Sequence, residues 1–405
     1  MATDKKKVFN IASDLIFSIA GLMLMNGALQ FLINPLFEKW MGTDAFGNYQ
    51  SIFAVVSVMG TTFGVAANYS RMVRARDKKD TNGDYNIFLT VIAVLCIAVA
   101  AGTLVVYKSF SILHFLLLTV LMVATVLRYY GDVNYRLKLN YKGFFLFYAI
   151  ITAGYGLGLL LFRFVSPLWM LTIMAGEIAA ILFVYFNGDI FKGKNLIKKS
   201  PEFTGTMKSV GVLSATNLLS AVAQQSDKII LGLAIGGEAV TTFYVATLLG
   251  KVISLLTTPL NGVLIGYLTK YEGRLTKKMV AVFAAVLLGL GTVALTGCII
   301  ASEIFVKLFY PDVFADAKQY FFIASAGQVL YFISNCLMTV ILRVASEKYQ
   351  MYINIVYIGI YAATVIPLTL TYGIWGMATA LLITNGAKFA ITTAVGLVKS
   401  QSKSN

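Results

Sequence analysis

Apolar residues run through this chain in windows of roughly 20, the length that crosses the hydrocarbon core of a bilayer. The windows predict twelve helical spans, at 11–36, 48–70, 86–106, 112–134, 144–165, 168–186, 207–234, 240–265, 279–300, 320–342, 351–372 and 374–398. The second, seventh and eighth are the most polar and are expected to fall below a strict hydropathy cutoff. The first follows Lys5, Lys6 and Lys7 but is too long for a signal-peptide apolar region and lacks a small-residue cleavage site. It is read as a retained span. The lengths left between spans are short loops, with no room for a soluble domain.

The pattern repeats. Met41 to Tyr49 reads MGTDAFGNY, and Ile235 to Phe243 reads IGGEAVTTF, 194 residues later. Gly, the acidic residue, Ala and the closing aromatic match in place. Each copy sits in the turn between the first and second spans of a six-span half. Six crossings return the chain to its starting side, so the halves have parallel orientation, a transporter architecture. The expected fold is therefore an all-α polytopic membrane protein of two six-helix lobes related by a pseudo-two-fold axis. The expected division is 1–186 for the first lobe, 187–206 for a cytoplasmic linker and 207–405 for the second lobe.

Charge supports this count. With the N-terminus inside, 25 of the 33 Lys and Arg fall on inner segments, among them Arg71, Lys79, Arg128, Arg136, Lys138, Lys194, Lys270 and Arg274. Five lie outside, and Lys228, Lys251 and Lys388 lie within spans. That bias places both termini in the cytoplasm. It also explains most of the net charge of +15 without a nucleic-acid partner. The chain is 58% hydrophobic and 13% charged, with a mean hydropathy of +0.79, whereas soluble chains carry about 25% charged residues. A soluble enzyme, a disordered tail protein and a DNA-binding domain are excluded. Cys96, Cys298 and Cys336 lie in apolar runs without metal or redox spacing, and the single histidine, His114, cannot build a metal site alone. No cofactor motif, nucleotide loop or catalytic carboxylate pair appears, so transport would draw on ions, the membrane potential or the substrate gradient.

Polar residues form stripes. Asp14, Ser18, Asn26, Gln30 and Asn34 share one row of four-residue spacing in the first span. At the 194-residue offset, Asn26, Gln30 and Asn34 correspond to Ser220, Gln224 and Lys228. The eighth span adds Tyr244, Thr247, Lys251, Ser254, Thr258 and Asn261. Such rows either bond helix to helix or line a hydrated cavity between the halves. Ionisable groups inside spans cost about 2.5–3.5 kcal/mol each at the membrane centre and so point to function. Glu177, Lys251 and Lys388 fall near mid-membrane, Asp227 and Lys228 nearer the outer side, and Asp14 near the inner surface. Glu177 and Lys388 could also pair within their own halves. The three lysines make the second half cationic, which suits a phosphate-bearing cargo. Pro259 and Pro367 are expected to kink their spans.

The segment Gln224 to Tyr271, with its DKIILG run, its GEAV turn followed by an aromatic, and its late Pro, resembles the seventh and eighth spans of Wzx-type polysaccharide flippases. These belong to the multidrug/oligosaccharidyl-lipid/polysaccharide (MOP) exporter superfamily. Met41 to Tyr49 is similar to the first-half turn of that family. The resemblance implies a MATE-like pair of lobes in a bacterial cytoplasmic membrane that open alternately to each side. It implies a cargo of undecaprenyl-pyrophosphate-linked oligosaccharide repeat units for O-antigen, lipopolysaccharide or capsule assembly. Membrane lipids, a polysaccharide polymerase and a chain-length regulator would be partners. Asn26, Gln30, Asn34, Gln224, Lys228, Tyr244, Lys251 and Lys388 would face the cargo, with Asp14, Glu177 and Asp227 as ion-coupling candidates. The chain lacks the two extra spans of lipid II flippases, which argues for a different cargo. An ion-coupled multidrug exporter of the same superfamily would instead need acidic residues at mid-cavity. A membrane polymerase or ligase would need longer outer loops than the stretch at 301–319.

The topology is testable. In a background lacking Cys96, Cys298 and Cys336, single cysteines at Thr43 and Glu238 are expected to label from outside. Cysteines at Lys79 and Lys277 should label only after permeabilisation. Labelling of all four from one side would refute the six-plus-six repeat.

Overall fold

A computed structural model describes residues 2–75, 81–165, 168–192, 196–255, 257, 260, 261, 264, 275–341, 345 and 347–400. Lys79, Lys194, Thr258, Pro259, Lys270 and Arg274 lie outside the described residues. The fold is all helical. In chain order the helices are α1 (Ala2–Ala28), α2 (Asn34–Met41), α3 (Thr43–Met59), α4 (Val65–Arg74), α5 (Asn82–Val106), α6 (Ile112–Gly131), α7 (Val133–Leu137), α8 (Tyr141–Phe164) and α9 (Trp169–Asn187). They continue with α10 (Phe203–Ala234), α11 (Gly237–Leu255), α12 (Lys277–Phe309), α13 (Pro311–Lys318), α14 (Phe321–Ile341) and α15 (Glu347–Lys399). A wider π-helical turn, Leu29–Ile33, joins α1 to α2, and another, Gly60–Gly64, joins α3 to α4. Pro35 follows the first; its ring and missing donor would clash with a tight turn there, which favours the widening.

Among the described residues, nine helices are long and apolar enough to cross a membrane. The second span is one of them, contrary to expectation, because its polar residues are diluted over the 32 residues of Thr43–Arg74. α10 and α11, the expected seventh and eighth spans, do not reach that apolarity. One of the nine, in α15, is two crossings. Thr364 and Thr384 bring their hydroxyls within 3.2 Å, although 20 residues of straight helix would separate them by about 30 Å. The chain reverses at Gly373, whose φ of 60° suits glycine alone, and a Cβ at Gly376 would stand 1.8 Å from the Leu368 carbonyl. That reversal lies at the expected boundary between spans 351–372 and 374–398. If α10 and α11 are counted with them, the described residues hold twelve candidate crossings.

The chain packs as two compact units, residues 1–42 with 48–229, and residues 43–47 with 230–405. In the first, α8 packs along α9 and α1, and α6 packs on α5 and α9. Small residues permit the α8–α9 approach: a Cβ on Gly154 would meet the Gly176 backbone, and one on Gly158 would meet the Thr172 backbone at 2.4 Å. Thr172 closes the seam by donating to the Gly158 carbonyl at 3.0 Å. α10 joins this unit through polar contacts along α3 and α4. Arg74 meets Glu202 at 3.4 Å, Ser70 meets Ser209 at 3.0 Å, Asn217 meets the Thr61 carbonyl at 3.4 Å, and Ser51 donates to the Lys228 carbonyl at 3.0 Å. Numbers rise along one partner as they fall along the other, so the helices run antiparallel.

The stretch after α9 is strapped to the same unit. Asn82 donates to the carbonyls of Asp189 and Lys192 at 2.8 and 2.7 Å, Asn86 donates to Leu196 at 3.0 Å, and Asp84 accepts from the Ser200 amide at 2.8 Å. Asp84 also closes a capping box with Thr81 at the start of α5. Lys138 reaches Asp189 at 2.5 Å; this hydrogen bond and the lysine's charge hold the Asp189 carboxyl below its ordinary range. Residues 196–229 thus pack with the first unit, and the contact boundary falls within α10, at 229/230.

In the second unit, α14 packs on α11, α12 and α15 around Ala284, Leu287, Val329, Ile333, Cys336 and Leu337. All three cysteines are buried and free. The repeated turns meet here. Gly42 and Gly236, equivalent by the offset, both have positive φ (85° and 127°), which explains the conserved spacing of glycine in the two copies. Thr241 donates to the Thr43 carbonyl at 2.6 Å, and a Cβ on Gly47 would stand 1.8 Å from the Gly237 carbonyl.

The glycine seam makes a paired prediction. Gly158→Ala should destabilise the protein by about 1–3 kcal/mol, the cost of forcing atoms into a packed interior. Gly156→Ala, two residues away with nothing within 4 Å of its Cβ, should be neutral. Melting curves in detergent check this; equal stability of the two variants would contradict the seam.

Candidate functional site

The polar row of the first span resolves into separate environments. Asp14 is half-buried. Asn26 donates to the Leu22 carbonyl of its own helix at 2.9 Å, and Gln30 sits half-buried in the π-helical turn. Asn34 is buried and accepts from the Tyr49 hydroxyl at 3.1 Å. On α10, Lys228 donates to Gln50 at 2.9 Å, Asp227 is buried beside it, and Gln224 is exposed. Asn34 and Lys228 thus bond helix to helix, as polar residues in membrane bundles do.

Glu177 is 1% exposed and closed by its own unit. Arg128 Nε donates to one carboxylate oxygen at 2.8 Å, and the Tyr155 hydroxyl donates to the other at 2.9 Å. The Arg128 guanidinium also lies 3.8 Å from the Tyr129 ring centre. A second buried carboxylate, Asp132, bonds Arg136 at 3.0 and 3.2 Å, the Tyr148 hydroxyl at 3.0 Å and Asn68. Buried Arg128 and half-buried Arg136 therefore each carry a carboxylate.

The second unit is built differently. Tyr244 is buried edge-on to Phe46, and Lys251 is half-buried on α11. Lys388, 5% exposed on α15, donates to the Asn335 side-chain carbonyl at 2.8 Å. The rings of Tyr331 and Tyr357 flank its ammonium at 4.9 and 4.8 Å. Among the described residues no carboxylate forms an ion pair with it. Lys388 is thus a buried cation held by one amide oxygen and two π faces, all neutral.

The structure brings Lys228 to Gln50, Glu177 to Arg128 and Lys388 to Asn335. It does not gather the eight cargo-facing candidates into one cluster within either unit. Sequence reading missed Arg128, Asp132, Asn335, Tyr331 and Tyr357. Arg128 was read only as a span-end charge, although it lies inside the apolar window opposite an intramembrane Glu. Tyr331 and Asn335 stand four apart on α14, so a polar pair on one helical face was visible.

No family model and no curated protein sequence matches the chain. Solved structures do. The chain is similar to the lipid II flippase MurJ in an inward closed conformation, with a TM-score of 0.69 and 14% identity over 93% of this chain and 86% of that one. It is similar to an inward-facing multidrug resistance MATE family transporter of the MOP superfamily, with a TM-score of 0.60 and 14% identity over 94% and 97%. A MATE transporter from Vibrio cholerae gives 0.60 and 14% over 97% and 96%. At such identity the likeness is one of fold, and the fold of this chain is MATE-like.

Proposed function

We propose that the chain is a flippase that moves undecaprenyl-pyrophosphate-linked oligosaccharide repeat units across the bacterial cytoplasmic membrane by alternating access, for surface polysaccharide assembly. The observation that carries this reading is the environment of Lys388. A buried ammonium without a carboxylate leaves a local excess of positive charge. The group that relieves it best is an anion rich in acceptor oxygens, such as a pyrophosphate or an acidic sugar. Lys251, half-buried in the same unit, adds a second cation to the path. Lys228 would join the cargo by exchanging its bond to Gln50, and Tyr244 would stack on sugar rings on leaving Phe46. Asp14 and Asp227 remain the ion-coupling candidates. Both oxygens of Glu177 are occupied, which gives it a supporting role instead.

The fold is shared with a flippase for lipid II and with multidrug transporters, so charge has to discriminate between them. An exporter of cationic drugs wants an accessible buried carboxylate. Lys388 is a buried ammonium with no carboxylate ion pair among the described residues, which favours the anionic cargo. Both termini in the cytoplasm, a polymerase and a chain-length regulator as partners, and two lobes meeting at 187–206 belong to the same proposal.

Lys388→Met tests it. An apolar residue of similar volume removes the cost of burying a charge, so protein abundance in the membrane should hold or rise. Surface polysaccharide should nevertheless fall by about tenfold or more, the factor that about 1.4 kcal/mol of lost binding gives. Lys251→Ala should act in the same direction, with partial rescue by Lys251→Arg, which keeps charge but changes shape. Undiminished export at normal abundance in both Lys388→Met and Lys251→Ala would refute the reading.

A further inference from the structure

Lys388 stands where three helical crossings meet in the second unit. Tyr331 and Asn335 come from one face of α14, Tyr357 from the arm of α15 before Gly373, and Lys388 from the arm after it. Asn335 turns its side-chain oxygen to the ammonium at 2.8 Å, and the two rings lie at 4.9 and 4.8 Å. Lys388 itself is buried, whereas Tyr331, Asn335 and Tyr357 are half-buried. A buried charge is thus surrounded by neutral polar groups that reach toward accessible space.

Those groups are not engaged with the protein. The hydroxyls of Tyr331 and Tyr357 and the side-chain nitrogen of Asn335 make no hydrogen bond among the described residues, and none of the three is sealed off. The buried phenols of the first unit behave otherwise, Tyr155 being held by Glu177 and Tyr148 by Asp132. An ammonium has three N–H donors. One goes to Asn335, and among the described residues the others have only the ring faces as acceptors, weaker than a carboxylate. No other charged side chain among the described residues acts on Lys388.

Charge decides which anion fits. A pyrophosphate diester carries a pair of negative charges, and setting it against one cation leaves a net charge in a site of low dielectric, which is costly. Its oxygens are better met by an arginine fork or by several cations than by one point charge. A carboxylate cancels the single charge, and its oxygens match the ammonium donors still free. Beside it, phenols that both donate and accept, and an amide that donates, suit sugar hydroxyls. The tyrosine rings add apolar faces with polar tips. We infer, resting on the flippase reading above, that the Lys388 cage binds a carboxylate-bearing sugar of the repeat unit, of the uronic acid class, rather than its pyrophosphate.

The probes are two undecaprenyl-pyrophosphate disaccharides that differ only in the terminal sugar, glucuronate in one and glucose in the other. Their movement between leaflets is followed in liposomes holding the purified full-length protein. At limiting concentration the glucuronate form is expected to move about tenfold faster, the effect of one charge-assisted partner. Lys388→Met should bring both forms to the lower rate. Tyr331→Phe with Tyr357→Phe keeps the rings and the cation but removes the hydroxyls, and should slow the glucuronate form several-fold. Equal movement of the two forms by the wild type, with equal loss in Lys388→Met, would put the pyrophosphate at the cage. That result overturns the inference and leaves the flippase reading intact. A preference for glucuronate that survives Lys388→Met would overturn it too, as would full movement in the phenylalanine variant. Movement of neither form would overturn the flippase reading, and the inference with it.

Discussion

A charge taken into hydrocarbon has no water to solvate it, and every buried ionic group in this protein must be answered from within the fold. The first unit answers two of its buried carboxylates with arginines, and a third, Asp84, with the neutral donors Thr81 and Ser200. Glu177 holds Arg128 and Tyr155, and Asp132 holds Arg136, Tyr148 and Asn68. Such pairs add little net stability over apolar residues, but losing one partner is costly, so they fix which helix faces which. The second unit answers Lys388 with neutral groups only. A neutral cage lets a cation persist while leaving its charge available. On the proposed function, the Lys388 cage is the place where the anionic part of the cargo would be held.

The same absence of water shapes the backbone. Helices satisfy their own amides, and what remains is how closely they approach. Gly154, Gly158 and Gly176 set that distance between α8 and α9, and Gly376 sets it in the hairpin of α15. Polar side chains then choose partners, as along α10, where contacts from Glu202 to Lys228 follow α4 and α3 in order. The repeated turns obey a third constraint, a positive φ at Gly42 and Gly236. Packing those turns together also gathers Asp44 and Glu238 at one cavity.

Much of the fold was legible in the sequence because the signals are periodic and long. Apolar windows of crossing length announced the helices, and the 194-residue repeat announced the paired turns, down to the glycines whose φ is positive. Gly373 was placed correctly as a span boundary by the break in apolarity around it. The second span was misjudged because polarity was weighed residue by residue, whereas its 32-residue length keeps a sufficiently apolar stretch. The packing of α10 on α3 and α4 was not legible. Single hydrogen bonds such as Ser70 to Ser209 leave no periodic trace, and a linker looks flexible until Asn82 and Asn86 are seen to hold its carbonyls. The candidate residues were legible as types, since intramembrane charges are rare. Their partners were not, because Arg128 and Glu177 are 49 residues apart.

The central claim is that the unmatched cation of the second unit selects an anionic, lipid-linked cargo. The most direct measurement reconstitutes the purified protein in liposomes carrying a fluorescent undecaprenyl-pyrophosphate oligosaccharide, and follows its movement between leaflets beside that of a cationic dye. The account predicts that the wild-type protein moves the lipid-linked sugar and leaves the dye behind, and that Lys388→Met loses the sugar movement. Dye transport without movement of the lipid-linked sugar, or sugar movement indifferent to Lys388, would contradict it.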